Sequence, residues 1–208
     1  MPVEVKGIKQ LRTNLRLLDK KLLKEFNTEL KAAMMPVRDA ARGFVPDGEP
    51  PGLSRWARPP RKAPVDKGYR PFPKFDAQVI RKGIVYRSGK NKANNNGFSS
   101  YFYVANLSAA GGIYETAGRK NPSGQPWKGP KHPRDDRNVS HSSNPGAGAH
   151  FIQYMPPMYG KGKERGRLIF KAWEQDQGKA TVGVMRAIEN ATQAFNKRSA
   201  DLDAIWQV

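Results

Sequence analysis

The first forty residues carry the pattern that most limits what this chain can fold into. Their apolar residues recur at steps of three and four, which is the period of one face of an α-helix. They are Ile8, Leu11, Leu15, Leu18, Leu22, Phe26, Leu30, Ala33 and Val37. The pattern predicts a long amphipathic helix within 1–43, with its apolar face buried against a sheet or another helix and its other face basic.

Two residues set the expected shape of this helix. Pro36 has no backbone N–H to donate, so we expect a kink or break near Met35, and Gly43 is expected to end the helix. A coiled coil over Ile8 to Leu22 is the alternative to packing on the core, although the pattern covers only about two heptads. The side chains expected in the core are Leu15, Leu18, Leu22, Phe26 and Leu30.

Two long stretches, 44–75 and 117–150, are too rich in proline, glycine and basic residues to form helices or central strands. Structureless connections of that length are uncommon inside a compact domain, so we expect 46–75 and 119–150 to become ordered only on assembly. Their aromatic residues are the expected anchors of a subunit interface, because large aromatic side chains concentrate at such interfaces. The anchors are Trp56, Tyr69, Phe72, Phe75 and Trp127.

Three short segments rich in β-branched and aromatic residues predict strands. The segments are 77–87, 101–106 and 151–155. We expect the first two to be antiparallel neighbours, joined by a polar connection that has no hydrophobic periodicity.

The last forty residues return to a helical period, which predicts a C-terminal helix over 166–200, loosened at Gly178. The predicted architecture for 1–208 is a single α+β domain. In it, the N-terminal helix over 1–43 and the C-terminal helix pack on a small antiparallel β-sheet. Strands with long insertions occupy 76–160, and the long loops are Pro/Gly-rich and basic.

Charge is the most informative total of the composition. The 208 residues include 37 Lys and Arg against 18 Asp and Glu, for a net charge of +19. Residues 168–208 are balanced and the excess is spread over the rest, so this is not a neutral domain with a basic tail. Such a surface predicts a polyanion or an acidic protein as partner. Solubility alone is the alternative explanation, although so large an imbalance costs self-repulsion in a free monomer.

Cysteine is absent from the sequence, so we expect neither disulfides nor thiolate chemistry, and a reducing cytoplasm is the default compartment. The N-terminal segment is charged where a signal peptide needs an apolar run. No run of about 18 apolar residues is present to span a bilayer. Neither secretion by a signal peptide nor insertion in a membrane is therefore expected.

No residue pattern in the sequence points to an enzyme. The three histidines are nine residues apart, whereas zinc ligands usually include a closer pair, and no Cys is available to complete a site. The glycine-rich segments 146–150 and 160–167 lack the P-loop pattern, and no nucleophile elbow occurs. Glu115 is the one conspicuous carboxylate, and among cations we expect it to form an ion pair or a turn. We therefore expect no catalytic activity, no metal and no cofactor.

Several short motifs follow one another in a characteristic order. A helix ends in an Ala-rich turn before a proline and a Gly-Leu segment, a tyrosine-bearing strand leads to a Glu followed closely by a glycine, and an aromatic residue and an alanine open the last helix. The residues are Ala40, Ala41, Pro46, Gly52, Leu53, Tyr101, Tyr103, Tyr114, Glu115, Thr116, Gly118, Phe170 and Ala172. In this order the chain resembles the tail-completion, or minor tail, family of siphophage neck proteins. It departs from that family in the long polar stretch that follows the Glu.

The resemblance implies an α+β subunit of the virion, made in the host cytoplasm. It implies a homo-oligomeric ring, expected to be hexameric, between the head-closure or connector protein and the tail terminator or tail-tube protein. Phage DNA crosses such a ring, and a basic lumen that contacts phosphates without reading bases fits the composition. The residues expected to face DNA or a partner are Arg12, Arg16, Lys20, Arg119, Lys120, Lys128 and Lys131. A free, sequence-independent nucleic-acid-binding protein is the alternative, and a nuclease with unrecognised carboxylates comes third.

Overall fold

The computed structural model of the protein describes residues 8–53, 55–57, 72–88, 101–119, 147–161 and 164–206. The helices in those ranges are α1 (Ile8–Leu18), α2 (Lys20–Gly43), α3 (Ala77–Gly83), α4 (Ala109–Thr116), α5 (Ala147–Gln153) and α6 (Ile169–Trp206). The strands are β1 (Ile84–Ser88), β2 (Phe102–Asn106), β3 (Tyr159–Lys161) and β4 (Glu164–Gly166). The long helices α2 and α6 pack along each other, and the antiparallel pair β1–β2 packs against them. The predicted α+β class is thus confirmed.

The N-terminal helical segment is broken at Asp19, and α2 continues through Pro36, so the break expected near Met35 is wrong. A kink at that position stays a prediction. Asp19 is extended, with φ −157° and ψ 120°, and its carboxylate accepts a 2.7 Å hydrogen bond from the backbone N–H of Lys21. Aspartate is a preferred N-cap, so this contact ends α1 and starts α2. Pro36 lies inside α2 on its exposed side, and α2 ends at Gly43 as predicted.

The face predicted from the apolar period packs on α6. Leu15, Phe26 and Leu30 are buried, and they form one cluster with Ala187 and Ala191 of α6. Alanine side chains are small, so the larger side chains of α1 and α2 can approach the backbone of α6 closely.

Burial is less complete on either side of the helix break. Leu18 and Leu22 are only half-buried, so their full burial is a wrong prediction. The eleven-residue α1 packs on α2 and α6 of its own chain, as the core-packing interpretation of this segment predicts.

Two glycines of α6 provide a matched test of the α2–α6 contact. A Cβ at Gly183 would lie 2.8 Å from the Cβ of Ala33 in α2, whereas a Cβ at Gly178 would meet nothing within 4 Å. Helix α6 runs through Gly178, so the predicted loosening there is wrong. Both Gly→Ala changes bring the same gain in helix propensity, about 0.5–1 kcal/mol.

We expect Gly178→Ala to raise the free energy of unfolding by that amount. Gly183→Ala should lower it by about 1–3 kcal/mol, because the added methyl group overpacks a tight contact. Urea denaturation of the two variants measures both effects. An equal gain from both substitutions would contradict the close packing of α2 on α6.

The segment 77–87, predicted as one strand, is a helix followed by a strand. Asp76 caps α3 by accepting a 3.0 Å hydrogen bond from the backbone N–H of Val79, and α3 buries Ile80 completely. The preference of β-branched residues for strands depends strongly on context, and the cap at Asp76 favours a helix here. The first half of this strand prediction is therefore wrong.

The second half of that segment forms the predicted antiparallel pair. In β1–β2, Ile84 stands opposite Asn106 and Ser88 stands opposite Phe102. Both the strand at 101–106 and its antiparallel neighbour are confirmed, with the strand beginning one residue later than expected.

The segment 151–155, also predicted as a strand, belongs mainly to α5. Phe151 packs edge-on against Trp56 with 4.9 Å between ring centroids, and Met155 is buried just after the helix. A run of five residues is too short for periodicity to separate a buried strand from a buried helical turn. This strand prediction is wrong.

Two aromatic residues predicted to anchor a subunit interface are core residues of this chain. Trp56 and Phe75 are 6% and 3% exposed, and their ring centroids are 5.0 Å apart. Both rings contact Tyr114 of α4. The backbone N–H of Phe75 donates to the carbonyl of Trp56 at 3.0 Å, and the indole N–H of Trp56 donates to the carbonyl of Pro73 at 2.8 Å. The two side chains therefore hold their own segment on the core, and their assignment to an interface is corrected.

Three further aromatic residues were predicted to anchor a subunit interface. Phe72 is 52% exposed, and Tyr69 and Trp127 lie outside the described residues. The described parts of 46–75 contribute Leu53, Trp56 and Phe75 to the core. That 46–75 becomes ordered only on assembly stays a prediction. Nearly all of 119–150 lies outside the described residues.

Candidate nucleic-acid interface

Glu115, the conspicuous carboxylate of the sequence, lies near the end of α4 and joins it to the start of α6. Its side chain is buried, and its two carboxylate oxygens accept hydrogen bonds from the backbone N–H groups of Leu168 at 2.6 Å and Phe170 at 3.0 Å. The first N–H groups of a helix have no partner within it, so this carboxylate caps α6. Burial raises the pKa of Glu115 above its ordinary value, although the backbone hydrogen bonds oppose that rise.

Arg167 stabilises the same junction between α4 and α6 through hydrogen bonds to backbone carbonyls. It is 6% exposed, and its guanidinium donates to the carbonyls of Tyr114 at 3.0 Å, Ala117 at 2.9 Å and Pro156. Burial lowers the pKa of Arg167, and the neighbouring Tyr114 and Glu115 oppose that change. Its donors are directed at backbone carbonyls, so Arg167 closes the C-terminal end of α4 and is not presented to a ligand.

Arg119, predicted to face DNA, is part of this junction. Its guanidinium donates to the carbonyl of Arg165 and lies 4.8 Å from the ring centroid of Phe170. Burial lowers its pKa, and the nearby Glu115 opposes that change. Arg119 is therefore held by its own chain, and its assignment to a DNA-facing surface is corrected. The motif around Glu115 has a structural role, with Tyr114 and Glu115 in a helix and not at the end of a strand.

A groove between α2 and β1 is lined by three lysines. It encloses a volume of about 350 Å³. The residues that line it are Lys20, Leu23, Lys24, Asn27, Thr28, Lys31, Tyr86 and Ser88. With 3.6 residues per turn, the lysines at 20, 24 and 31 fall on one face of α2. We call Lys20, Lys24 and Lys31 the lysine stripe.

No acidic side chain in the described part of the chain pairs with the lysine stripe. The carboxylate of Glu29 is directed toward α6, where it accepts a 3.0 Å hydrogen bond from the side-chain amide of Asn190. The carboxylate of Asp19 caps α2 and lies 3.5 Å from Arg198. The three lysines have no ion-pair partner among the described residues, so we expect a positive potential in the groove.

Arg12 lies next to the groove, where it contacts the lining residue Asn27. The Arg12 guanidinium donates a 2.6 Å hydrogen bond to Oδ1 of Asn27 and lies 5.5 Å and 5.4 Å from the ring centroids of Tyr101 and Phe102. The hydroxyl of Tyr86 is buried with no hydrogen-bond partner among the described residues. Burial raises the pKa of Tyr86, against an opposing effect of Arg12. Arg12 thus adds positive charge next to the groove, and its guanidinium is engaged by side chains of its own chain.

The structure separates the residues that the sequence grouped together. Lys20 lines the groove, and Arg16 is exposed on α1 but is not a lining residue. Lys120, Lys128 and Lys131 lie outside the described residues. Lys24 and Lys31 belong to the basic helix face predicted from the sequence, but they were not among the residues expected to face DNA. Tyr86 was not predicted as a site residue, because its position opposite α2 depends on tertiary packing.

Other kinds of site find no support in the ranges that the structure describes. No group of three or more His, Cys, Asp or Glu side chains is placed to hold a metal ion there. None of the described helices combines the length and the apolar character needed to cross a bilayer. Comparison of the chain with models of known protein families, with curated proteins and with solved structures finds no match.

Proposed function

We propose that this chain is a structural, non-enzymatic subunit of a tailed-phage neck. It is a tail-completion protein that forms a ring, expected to be hexameric, between the head-closure protein and the tail terminator or tail-tube protein. The genome passes through the ring. The observation that supports this proposal best is the lysine stripe, an uncompensated cationic surface on a chain of net charge +19.

The cations of the groove are lysines, which suits DNA binding that is independent of base sequence. Lysine is a hydrated point charge that attracts phosphates without the fixed, two-pronged geometry with which arginine reads bases. The buried Arg167 and the half-buried Arg119 are engaged by backbone carbonyls of their own chain. The cations that line the groove are lysines, so the charge there is diffuse, as expected of a DNA passage that must not bind its cargo tightly.

A free nucleic-acid-binding protein would use the same groove, so the oligomeric state separates the two functions. Native mass spectrometry of the full-length chain should show a ring-sized oligomer. Reversal of the stripe by Lys20→Glu, Lys24→Glu and Lys31→Glu should leave that oligomer intact and weaken binding to arbitrary duplex DNA at least about tenfold at low salt. Fluorescence anisotropy measures the DNA affinity.

The matched control carries three reversals at exposed lysines outside the groove, Lys74→Glu, Lys161→Glu and Lys197→Glu. It changes the net charge by the same amount and should retain clearly tighter DNA binding than the stripe variant. If the protein is a stable monomer that binds DNA, the neck proposal is wrong and a free nucleic-acid-binding protein is the better explanation. Equal decreases in affinity for both triple variants would show that net charge, and not the groove, determines binding.

A further inference from the structure

One face of the β1–β2 sheet is largely apolar and lies outside both hydrophobic clusters of the described chain. Successive residues of a strand point to opposite faces, and Ile84, Phe102 and Val104 are on the face that packs on those clusters. Strands that are apolar on both faces are typical of sheets that are covered on both sides. We call the residues of the other face the outer sheet face: Val85, Arg87, Tyr103, Ala105 and Leu107.

A second apolar surface without a partner in the described chain lies on α6. Val182 and Met185 are 61% and 44% exposed and lie one turn apart, and a Cβ at Gly178, one turn earlier, would meet nothing within 4 Å. We call Gly178, Val182 and Met185 the α6 patch. Val184, which packs in the cluster with Phe102, lies about 200° around the helix from Val182. Since α6 lies on the inner side of the sheet, the α6 patch cannot cover the outer sheet face of its own chain.

The charges beside the two surfaces are complementary. Arg87 is exposed on the outer sheet face, and Glu189 is exposed on α6 one turn after Met185. Neither of these charged side chains has an ion-pair partner among the described residues. Residues 168–208 are balanced in charge, whereas the net charge of +19 is spread over the rest of the chain. A second copy therefore meets the least repulsion where it presents α6.

We propose that α6 of one copy packs across the outer sheet face of the next copy, with the α6 patch against its apolar side chains and Glu189 paired with Arg87. The two surfaces differ, so the contact is head-to-tail, and a head-to-tail contact generates a ring when its rotation closes. The inference rests on the proposed function for the ring and adds the surfaces that hold it together. The lysine stripe belongs to neither surface, so the contact does not use it.

Crosslinking of the full-length protein tests the contact directly, because the chain contains no cysteine. We expect an equimolar mixture of the single variants Leu107→Cys and Val182→Cys to give a crosslinked dimer with a short bis-maleimide reagent. Such a reagent reaches further than a disulfide, which requires Cα atoms within about 7 Å of each other. Both side chains are exposed, so neither substitution should unfold the protein, and urea denaturation checks this.

Two controls define the background of this experiment. Each single variant alone should give no dimer, because a head-to-tail contact does not bring two copies of one position together. Leu17→Cys mixed with Val182→Cys should also give none, since Leu17 is 78% exposed but lies on α1, outside both surfaces. Crosslinking of Val182→Cys with itself, or of Leu17→Cys as efficiently as Leu107→Cys, would overturn the proposal.

Charge reversal tests the ion pair independently. Arg87→Glu places a like charge opposite Glu189 and should weaken association at least about tenfold, although it lowers the net positive charge. Adding Glu189→Arg to this variant should restore association to within about threefold of wild type. Lys74→Glu changes the net charge equally at an exposed residue of neither surface and should not weaken association. Analytical ultracentrifugation over a range of protein concentrations measures these differences.

The outcomes distinguish this contact from the proposed function. A ring that forms without crosslinking between positions 107 and 182, and that no charge reversal weakens, would overturn the contact and leave the neck proposal standing. A crosslinked oligomer that responds to the reversals as expected but does not bind DNA would support the contact and remove the neck proposal. A chain that stays monomeric at every concentration would overturn both.

Discussion

Glu115→Ala is expected to lower the free energy of unfolding by about 3–5 kcal/mol, one of the two largest effects in this chain. The substitution leaves the backbone N–H groups of Leu168 and Phe170 without their acceptor. It also removes the carboxylate that offsets the desolvation of Arg119 and Arg167. Chemical denaturation measures the decrease. A change below about 1 kcal/mol would mean that Glu115 does not join α4 to α6.

A glycine substitution tests the same junction without removing any charge. A Cβ at Gly166 would collide with Oε1 of Glu115, so Gly166→Ala should cost about 3 kcal/mol by displacing the carboxylate. Gly112 in α4 is the control, because a Cβ there meets nothing within 4 Å. Gly112→Ala should be neutral or stabilise the protein by up to about 1 kcal/mol.

The pH dependence of stability provides a signature of the buried carboxyl group. Folding raises the pKa of Glu115 above the ordinary 4.5, so the folded state binds this proton more tightly than the unfolded state. Its contribution to stability is therefore complete below that ordinary value and is lost as pH rises through the folded-state pKa. Glu115→Gln lacks this component. The difference in unfolding free energy between wild type and Glu115→Gln should thus change across that window, and a constant difference would contradict the raised pKa.

Leu30→Ala is expected to lower the free energy of unfolding by about 2–5 kcal/mol, and Leu15→Ala should do the same. Both side chains are fully buried against α6. Leu17 is two residues from Leu15 in α1 and is 78% exposed. Leu17→Ala deletes the same side-chain atoms as Leu15→Ala, but from a position in contact with solvent. It should change the free energy of unfolding by less than about 0.5 kcal/mol. Thermal and urea denaturation of the three variants provide the comparison. Similar decreases for Leu15→Ala and Leu17→Ala would mean that the buried face of α1 is misassigned.

The long helices were predictable because the spacing of apolar residues follows directly from which helix face is buried. The spacing from Leu15 to Leu30 contains enough turns to define a face, and Leu15, Phe26 and Leu30 are buried on it. The position of the break between α1 and α2 was harder to predict from the sequence. A proline is a conspicuous signal, yet the cap at Asp19 ends α1, while Pro36 is accommodated on the exposed side of α2.

Short elements were harder because local composition does not identify the partner. Segments 77–83 and 151–153 have strand-like residues, but a cap at Asp76 and packing on Trp56 place them in helices. Aromatic residues in a proline-rich stretch suit an interface and a core equally well. For Trp56 and Phe75, the choice depends on contacts with α4 that no local pattern reveals.

The candidate site was predictable in its chemistry and only partly in its residues. Net charge indicated a polyanion, and Lys20 lies in the groove. Arg119 and Arg12 were misplaced because a sequence does not show which cations are held by their own chain. One is held by a backbone carbonyl and the ring of Phe170, and the other by the side chain of Asn27.

The paired hydrogen bonds between Trp56 and the 73–75 segment have a consequence for how this protein can vary and be engineered. They bring together the two ends of the segment 58–71, whatever lies between them. Once a loop is closed, doubling its length costs only about 0.6 kcal/mol of chain entropy. We therefore expect a flexible insertion between Ala57 and Phe72 to cost the fold little. This position is a suitable place to graft a reporter peptide or a second binding module.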